Sequence, residues 1–350
     1  MFILTHHRVI ARTSSTQFIN ESVNTFVLAR SLESAHVMTL PRFLTLTLLT
    51  LVSCLRHTPE RATTSSLQSG IEFRILDEEL ARVRAEPQVR MALGIVLDPR
   101  DGHVLAMQSR TDRHFNPELA PREPRSHGSV AKSFSIASAI EVGAIALDDT
   151  FSGEEGRDAM SIRDVLAFSS NMGTVRIFER LGRDRLFEGL AKFHLDHHIP
   201  ESARTSDSEA AGIAFGNLVA TPLELATAFT AIANDGVMHA PWRDSEAPTE
   251  GERVLSPETA RTMMSLLEST VARDDATGSL ARVPGHRVAG KTGTVPSGEN
   301  GTYGSFIGAI PAEAPCYVIL IGVLGENSGY TGGTIAAPAF ARVATRLIAN

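Results

Sequence analysis

Segments that read as β-strands stand at the two ends of this chain's globular part, and helix signals fill the space between. At one end, apolar runs at Leu93 to Leu97 and His103 to Gln108 flank Asp98-Pro99-Arg100-Asp101-Gly102. Proline and glycine so placed turn a chain back on itself, which predicts a β-hairpin. At the other end, Arg287 to Thr294, Tyr303 to Ile310 and Cys316 to Leu324 predict three further strands. Between them, Ser129 opens a helix expected to reach about Val142, stopped by Gly143. Ser161 and Asp164 form a capping pair for a short helix ending near Phe168. Thr221-Pro222-Leu223-Glu224 combines an N-cap, a first-turn proline and a capping glutamate for a helix to Ala233. Ser256-Pro257 opens another to about Val271, and a last one covers about Ile335 to Ile348. The order is a hairpin, a largely helical middle, then a run of strands and a closing helix. The expected class is α+β: an antiparallel sheet flanked by helices, plus an all-α lobe.

Charge and composition narrow the function. The net charge is -7 and no basic run reaches five residues, which argues against nucleic acid as a partner. Of 33 lysines and arginines only three are lysine: Lys132, Lys192 and Lys291. Codon bias explains a general preference for arginine. It leaves lysine where an amine must lose its proton, which arginine cannot do. Two of the three lie in motifs that carry chemistry.

Gly128-Ser129-Val130-Ala131-Lys132 is an S-x-x-K motif. Positions i and i+3 share a helix face, so the Lys132 amine can approach the Ser129 hydroxyl. A serine alcohol is a weak nucleophile and needs such a base. Ser129 also falls at a helix N-terminus, where backbone N–H groups favour a developing oxyanion. Ser169-Ser170-Asn171 is an S-x-N motif, suited to relaying a proton and to holding Lys132 and a substrate backbone; alone it would read as a polar helix end. Gly290-Lys291-Thr292-Gly293-Thr294 sits on a predicted strand. Gly293 lets a substrate lie along the strand edge. Lys291 and the threonine hydroxyls can bind a carboxylate, and the Thr294 N–H can join the Ser129 N–H in an oxyanion hole.

Three such motifs in this order are the signature of penicillin-binding proteins and class A β-lactamases. The chain resembles the penicillin-binding transpeptidase domain family over about Gln68 to Asn350. Ile95 to Met107 looks like that domain's opening hairpin, and Phe215-Gly216 with Thr221 to Ala226 and Ile232 to Gly236 resembles the stretch between its second and third motifs. Tyr330 to Phe340 is similar to its C-terminal signature. The resemblance implies a β-lactamase/transpeptidase-like fold. It implies Ser129, Lys132, Ser169, Asn171 and Lys291 as catalytic residues, and Thr292, Gly293 and Thr294 as substrate-binding. The expected activity is serine acyl transfer on the D-Ala-D-Ala end of peptidoglycan stem peptides, by transpeptidation or carboxypeptidation, with β-lactams as ligands and no cofactor. A serine β-lactamase of the class D type is the nearest rival; the Glu-x-x-Leu-Asn segment of class A enzymes is not seen after the S-x-N motif. A non-catalytic β-lactam sensor is a third reading.

Some features depart from the pattern. The family's Pro-Gly-Ser and Lys-Pro are here His127-Gly128-Ser129 and Lys132-Ser133. His127 is not expected in a triad, because the lysine already serves as base and no Gly-x-Ser-x-Gly elbow exists. The N-terminal pedestal module of class B relatives and a glycosyltransferase segment are not seen. His194, His197 and His198 with Asp196 read as a solvated helix end near Pro200, not a metal site, and Lys192 as a surface residue.

Met38 to Cys54 reads as a signal peptide: Arg42, an apolar run from Phe43 to Val52, and a lipobox-like Leu51-Val52-Ser53-Cys54. Cleavage before Cys54 and lipidation there are expected; an uncleaved anchor is the alternative. Residues 1–37 are expected to be an upstream extension or disordered leader, 55–69 a linker and 70–350 the transpeptidase domain. The protein is then exported and held at a bacterial membrane, its catalytic domain in the periplasm or on the outer face. Cys316 opens an apolar strand and reads as a buried small residue; no disulfide framework is expected.

Overall fold

The computed structural model describes residues 70–111, 120–154, 156–243, 246, 248–297, 299, 301–326 and 328–350. In chain order the main elements are α1 (Ile71–Arg84), β1 (Val89–Leu97), β2 (Val104–Thr111), α2 (Lys132–Glu141), α3 (Ile162–Ala167), α4 (Asn171–Leu181), α5 (Arg183–Lys192), α6 (Asp207–Gly212), α7 (Pro222–Ala233), α8 (Pro257–Ala272), β3 (Ala289–Ser297), β4 (Gly301–Ile310), β5 (Tyr317–Gly325) and α9 (Ala337–Ile348).

The five strands form one antiparallel sheet in the order β2-β1-β5-β4-β3. The hairpin joins the three late strands through β1 and β5, with Ile95 opposite Leu320. Side chains alternate between two cores. Leu93, Ile95 and Leu97 enter the core shared with the helical lobe, while Ala92 and Val96 enter the one under α1 and α9. With both faces covered, β5 is apolar almost throughout, and Val318 to Ile321 are fully buried. Phe306 on β4 meets Phe340 on α9 edge to face at 4.8 Å.

Capping chemistry sets the helix ends as expected. Ser161 with Asp164, and Thr221 with Glu224, each form a capping box. The α7 helix is buried nearly all round, so it serves as a central pillar beneath the sheet. Two starts differ from the sequence reading. The segment from Ser129 begins as a tight 3₁₀ turn, Gly128–Ala131, before α2. The last helix is preceded by a wide π turn, Gly332–Ala336. The helices α1, α4, α5 and α6 were outside the named expectations. Their amphipathic or short patterns lack the strong cap-and-proline signals of α7 and α8.

No helix among the described residues is long and apolar enough to cross a membrane. The expectations for 1–37, 38–54, 55–69 and Cys54 lie outside the described residues. Cys316 is buried as expected.

Candidate active site

Ser129 and Lys132 sit where the 3₁₀ turn hands over to α2. In a 3₁₀ turn residues i and i+3 eclipse, which brings the pair closer than an α-helical face would. Lys132 Nζ donates to Ser129 Oγ at 3.1 Å. The rest of the amine is gripped by the S-x-N loop: it donates to Asn171 Oδ1 at 2.6 Å, to the Ser169 carbonyl at 2.5 Å and to Ser169 Oγ at 3.3 Å. Lys132 is fully buried, and Ser129 is half-buried at the floor of a cleft of about 520 Å³.

The loop that grips the amine is built locally. Phe168 ends α3, and Ser169 then takes a left-handed conformation with φ 58°. A non-glycine residue held there stores strain, and such residues gather at functional sites. The turn aims the Ser169 carbonyl and hydroxyl at Lys132. Ser170 restarts the helix as the N-cap of α4, its hydroxyl accepting from Gly173 N at 2.9 Å. Asn171 therefore occupies the first position of α4.

The third wall is the edge strand β3. Two glycines let it touch the 3₁₀ turn. Gly128 has φ 58°, and a Cβ there would stand 2.6 Å from the Thr294 carbonyl oxygen. A Cβ on Gly293 would stand 1.9 Å from the His127 carbonyl oxygen. Thr292 and Thr294 line the cleft with Ser129, Ser169, Asn171, Thr277 and Thr331. Lys291 is fully buried, and its amine donates to Ser169 Oγ at 2.9 Å and to the Thr292 carbonyl at 3.1 Å. Its amine lies behind Ser169 and Thr292.

Burial sets the electrostatics. Desolvation pushes the Lys132 amine down to about 7, against a smaller upward pull from Glu154. Burial, and then the charge of Lys132, hold Lys291 well below the ordinary lysine value. Near neutral pH the Lys132 amine has a deprotonated population, within hydrogen-bond reach of a serine hydroxyl. That arrangement can activate an alcohol without a histidine.

The remaining candidates fall elsewhere. His127 is buried against Tyr303, their rings edge to face at 5.3 Å, and burial lowers it to about 3. A neutral imidazole there has no carboxylate partner among the described residues, so it forms no triad. Lys192 is exposed. His194, His197 and His198 lie in the turn after α5 rather than on a helix, facing Glu252 at 3.0 Å and Glu224 at 3.8 and 3.6 Å. Among the described residues no cluster of His, Cys, Asp or Glu could hold a metal.

Sequence reasoning missed Glu154 and Thr277. The Thr277 N–H donates to the Ala167 carbonyl at 3.1 Å, and its hydroxyl accepts from Thr292 Oγ1 at 2.8 Å, tying the end of α3, just before the S-x-N loop, to β3. Neither residue belongs to a motif, and both act through tertiary contacts that no local pattern announces.

The sheet, the helical lobe and a serine and lysine set against the edge strand define the β-lactamase/transpeptidase fold class. The chain belongs to the penicillin-binding protein transpeptidase domain family, whose model matches residues 92–345. It is 32% identical to "Penicillin-binding protein PbpB" of Mycolicibacterium smegmatis, over 73% of this chain and 49% of that protein. It is 28% identical to "Probable peptidoglycan D,D-transpeptidase FtsI" of Caulobacter vibrioides, over 80% of this chain and 58% of that protein. Thus the chain spans about half the length of the curated relatives it matches. The solved structure of penicillin-binding protein 3 from Mycobacterium tuberculosis in complex with aztreonam aligns with a TM-score of 0.71 at 27% identity, covering 79% of this chain and 77% of that one. The transpeptidase domain of Burkholderia pseudomallei penicillin-binding protein 3 shares the fold at a TM-score of 0.69 and 23% identity, covering 81% and 96%.

Proposed function

We propose that the chain is a class B-like penicillin-binding D,D-transpeptidase that acylates Ser129 with peptidoglycan stem peptides ending in D-Ala-D-Ala. The observation that carries this reading is the Lys132 amine, 3.1 Å from Ser129 Oγ and lowered to about 7. Lys132 takes the hydroxyl proton as Ser129 Oγ attacks the penultimate D-Ala carbonyl. The Ser129 and Thr294 N–H groups receive the oxyanion. The peptide bond breaks and terminal D-Ala leaves with a proton, relayed through Ser169 between the two lysines. An amine of a neighbouring stem peptide then takes the acyl group, or water does in carboxypeptidation. Asn171 and Gly293 hold the peptide along β3. Thr292 and Thr294 receive its carboxylate, with the Lys291 amine behind them.

The test is labelling with a fluorescent penicillin, followed by timing the loss of label. Persistent label on Ser129 is the expected result. Loss within seconds means a serine β-lactamase, and label without turnover of a D-Ala-D-Ala peptide means a sensor.

The finer reading of location concerns residues 38–54: export, cleavage before Cys54 and a lipid on its sulfur, with 55–69 as tether to the domain at 70–350.

A further inference from the structure

We propose that Glu154 is a positioning residue for the acylation of Ser129: its carboxylate pins the first turn of α4 and, through Asn171, sets the Lys132 amine against the serine. The inference rests on the acyl-enzyme reading above and adds a residue outside the three motifs.

Glu154 lies between the short strands Thr150–Phe151 and Met160–Ser161, in a turn closed by Gly153 N donating to the Arg157 carbonyl at 2.7 Å and Arg157 N to the Glu154 carbonyl at 2.9 Å. Its two oxygens meet α4 end on. Oε2 accepts from Ser170 Oγ at 2.7 Å; Oε1 accepts from Asn171 N at 2.8 Å and Met172 N at 3.3 Å. The first N–H groups of a helix have no partner within it, and the helix dipole favours an anion there. A capping carboxylate usually comes from the residue at the helix start; this one comes from a separate turn, so it fixes where α4 begins. The same Asn171 whose N–H it holds accepts from Lys132 Nζ at 2.6 Å. Glu154, Asn171, Lys132 and Ser129 form one line of hydrogen bonds ending at the nucleophile.

The charge acts in the same direction as the geometry. The charged groups facing Lys132 are Lys291 on β3 and Glu154. Arg157 and Arg176 flank Glu154, the first over the Phe168 ring at 3.9 Å and the second paired with Glu179 at 2.7 Å. Burial pushes the Glu154 carboxyl up, but hydrogen bonds from Ser170, its own backbone, Met172 and Asn171 leave it lowered, so it is an anion at neutral pH. That anion raises Lys132, against the burial that lowers it.

Two substitutions separate position from charge. Glu154→Gln removes the anion, and Glu154→Asp keeps it on a stem too short to reach all three donors. Acylation of Ser129 by a fluorescent penicillin is timed from pH 5 to 9 on the full chain, with melting temperature measured alongside. Glu154→Gln should lower the plateau rate by about tenfold, as for a lost charge-assisted hydrogen bond, and move the rise with pH to lower pH, because the amine loses the charge that raises it. Glu154→Asp should lower the plateau and leave the rise in place. A Glu154→Gln protein with wild-type rate and rise overturns the proposal. So does a lowered rate with an unmoved rise, which a merely structural role would give. Failure of the acyl-enzyme reading is distinguishable, because the wild type itself would then take no label on Ser129.

Discussion

Lys132 and Lys291 share one hydroxyl: Ser169 Oγ accepts from the first amine at 3.3 Å and from the second at 2.9 Å. Two amines this close, both fully buried, cannot hold two full charges at low cost. Each is lowered, and in the proposed reaction the hydroxyl between them is the path for one proton from the attacking side to the leaving side. Neutral Lys132 is the form that accepts the Ser129 proton, so acylation should rise as pH rises through about 7. The check is the second-order rate of β-lactam labelling from pH 5 to 9; a rate independent of pH across that span contradicts it.

Stability follows the same titration. Lys132 has a folded value of about 7 against 10.5 unfolded, so between these the unfolded chain binds the extra proton. Stability attributable to the amine is full above 10.5, declines as pH falls, and is lost below about 7. Lys132→Met should remove this dependence and raise the melting temperature at pH 6. A melting curve for Lys132→Met no higher than wild type at pH 6 refutes the burial argument.

Ser129 should carry the only adduct. Trypsin releases it on Ser126 to Lys132, whereas Ser169 and Ser170 lie on Asp164 to Arg176, so one mass spectrum distinguishes them. Ser129→Ala should lose all label. Lys132→Arg should lose at least about a hundredfold in rate, the scale of a missing general base, because arginine keeps its proton. Lys291→Arg should also be severe, since the larger guanidinium has no room in a site that is fully buried.

Much of this was legible in the sequence because motif residues obey local rules. The capping boxes at Ser161 and Thr221, and the i,i+3 spacing of Ser129 and Lys132, are short-range chemistry. What was not legible is long-range. The burial of Lys291 follows from the packing of β3 against the S-x-N loop, and a strand pattern does not say which way its lysine turns. Glu154 reaches α4 across a turn that no spacing rule describes. The 3₁₀ start of α2 lies where Gly128 packs against Thr294 of β3, a tertiary contact that no local pattern announces.

The fit of β3 against the turn makes Gly293 a sharp test. Alanine there would place a methyl group 1.9 Å from the His127 carbonyl oxygen, a backbone atom that cannot rotate away. Gly293→Ala should cost about 2–3 kcal/mol of stability, typical of forced overpacking, and abolish labelling. Equal denaturation midpoints for wild type and variant would show that the strand can slide instead.

Cys54 decides how the chain is held at a membrane. The short apolar run before Cys54 matches a cleaved leader better than a span, which needs about 20 apolar residues. A second or third acyl chain adds about 0.8 kcal/mol for each buried CH₂, enough for stable anchoring. We therefore expect palmitate label on the wild-type protein in its host and none on Cys54→Ser. If palmitate is absent and residues 38–53 are kept, the segment is an uncleaved anchor, and the lipoprotein proposal falls while the active-site reading stands.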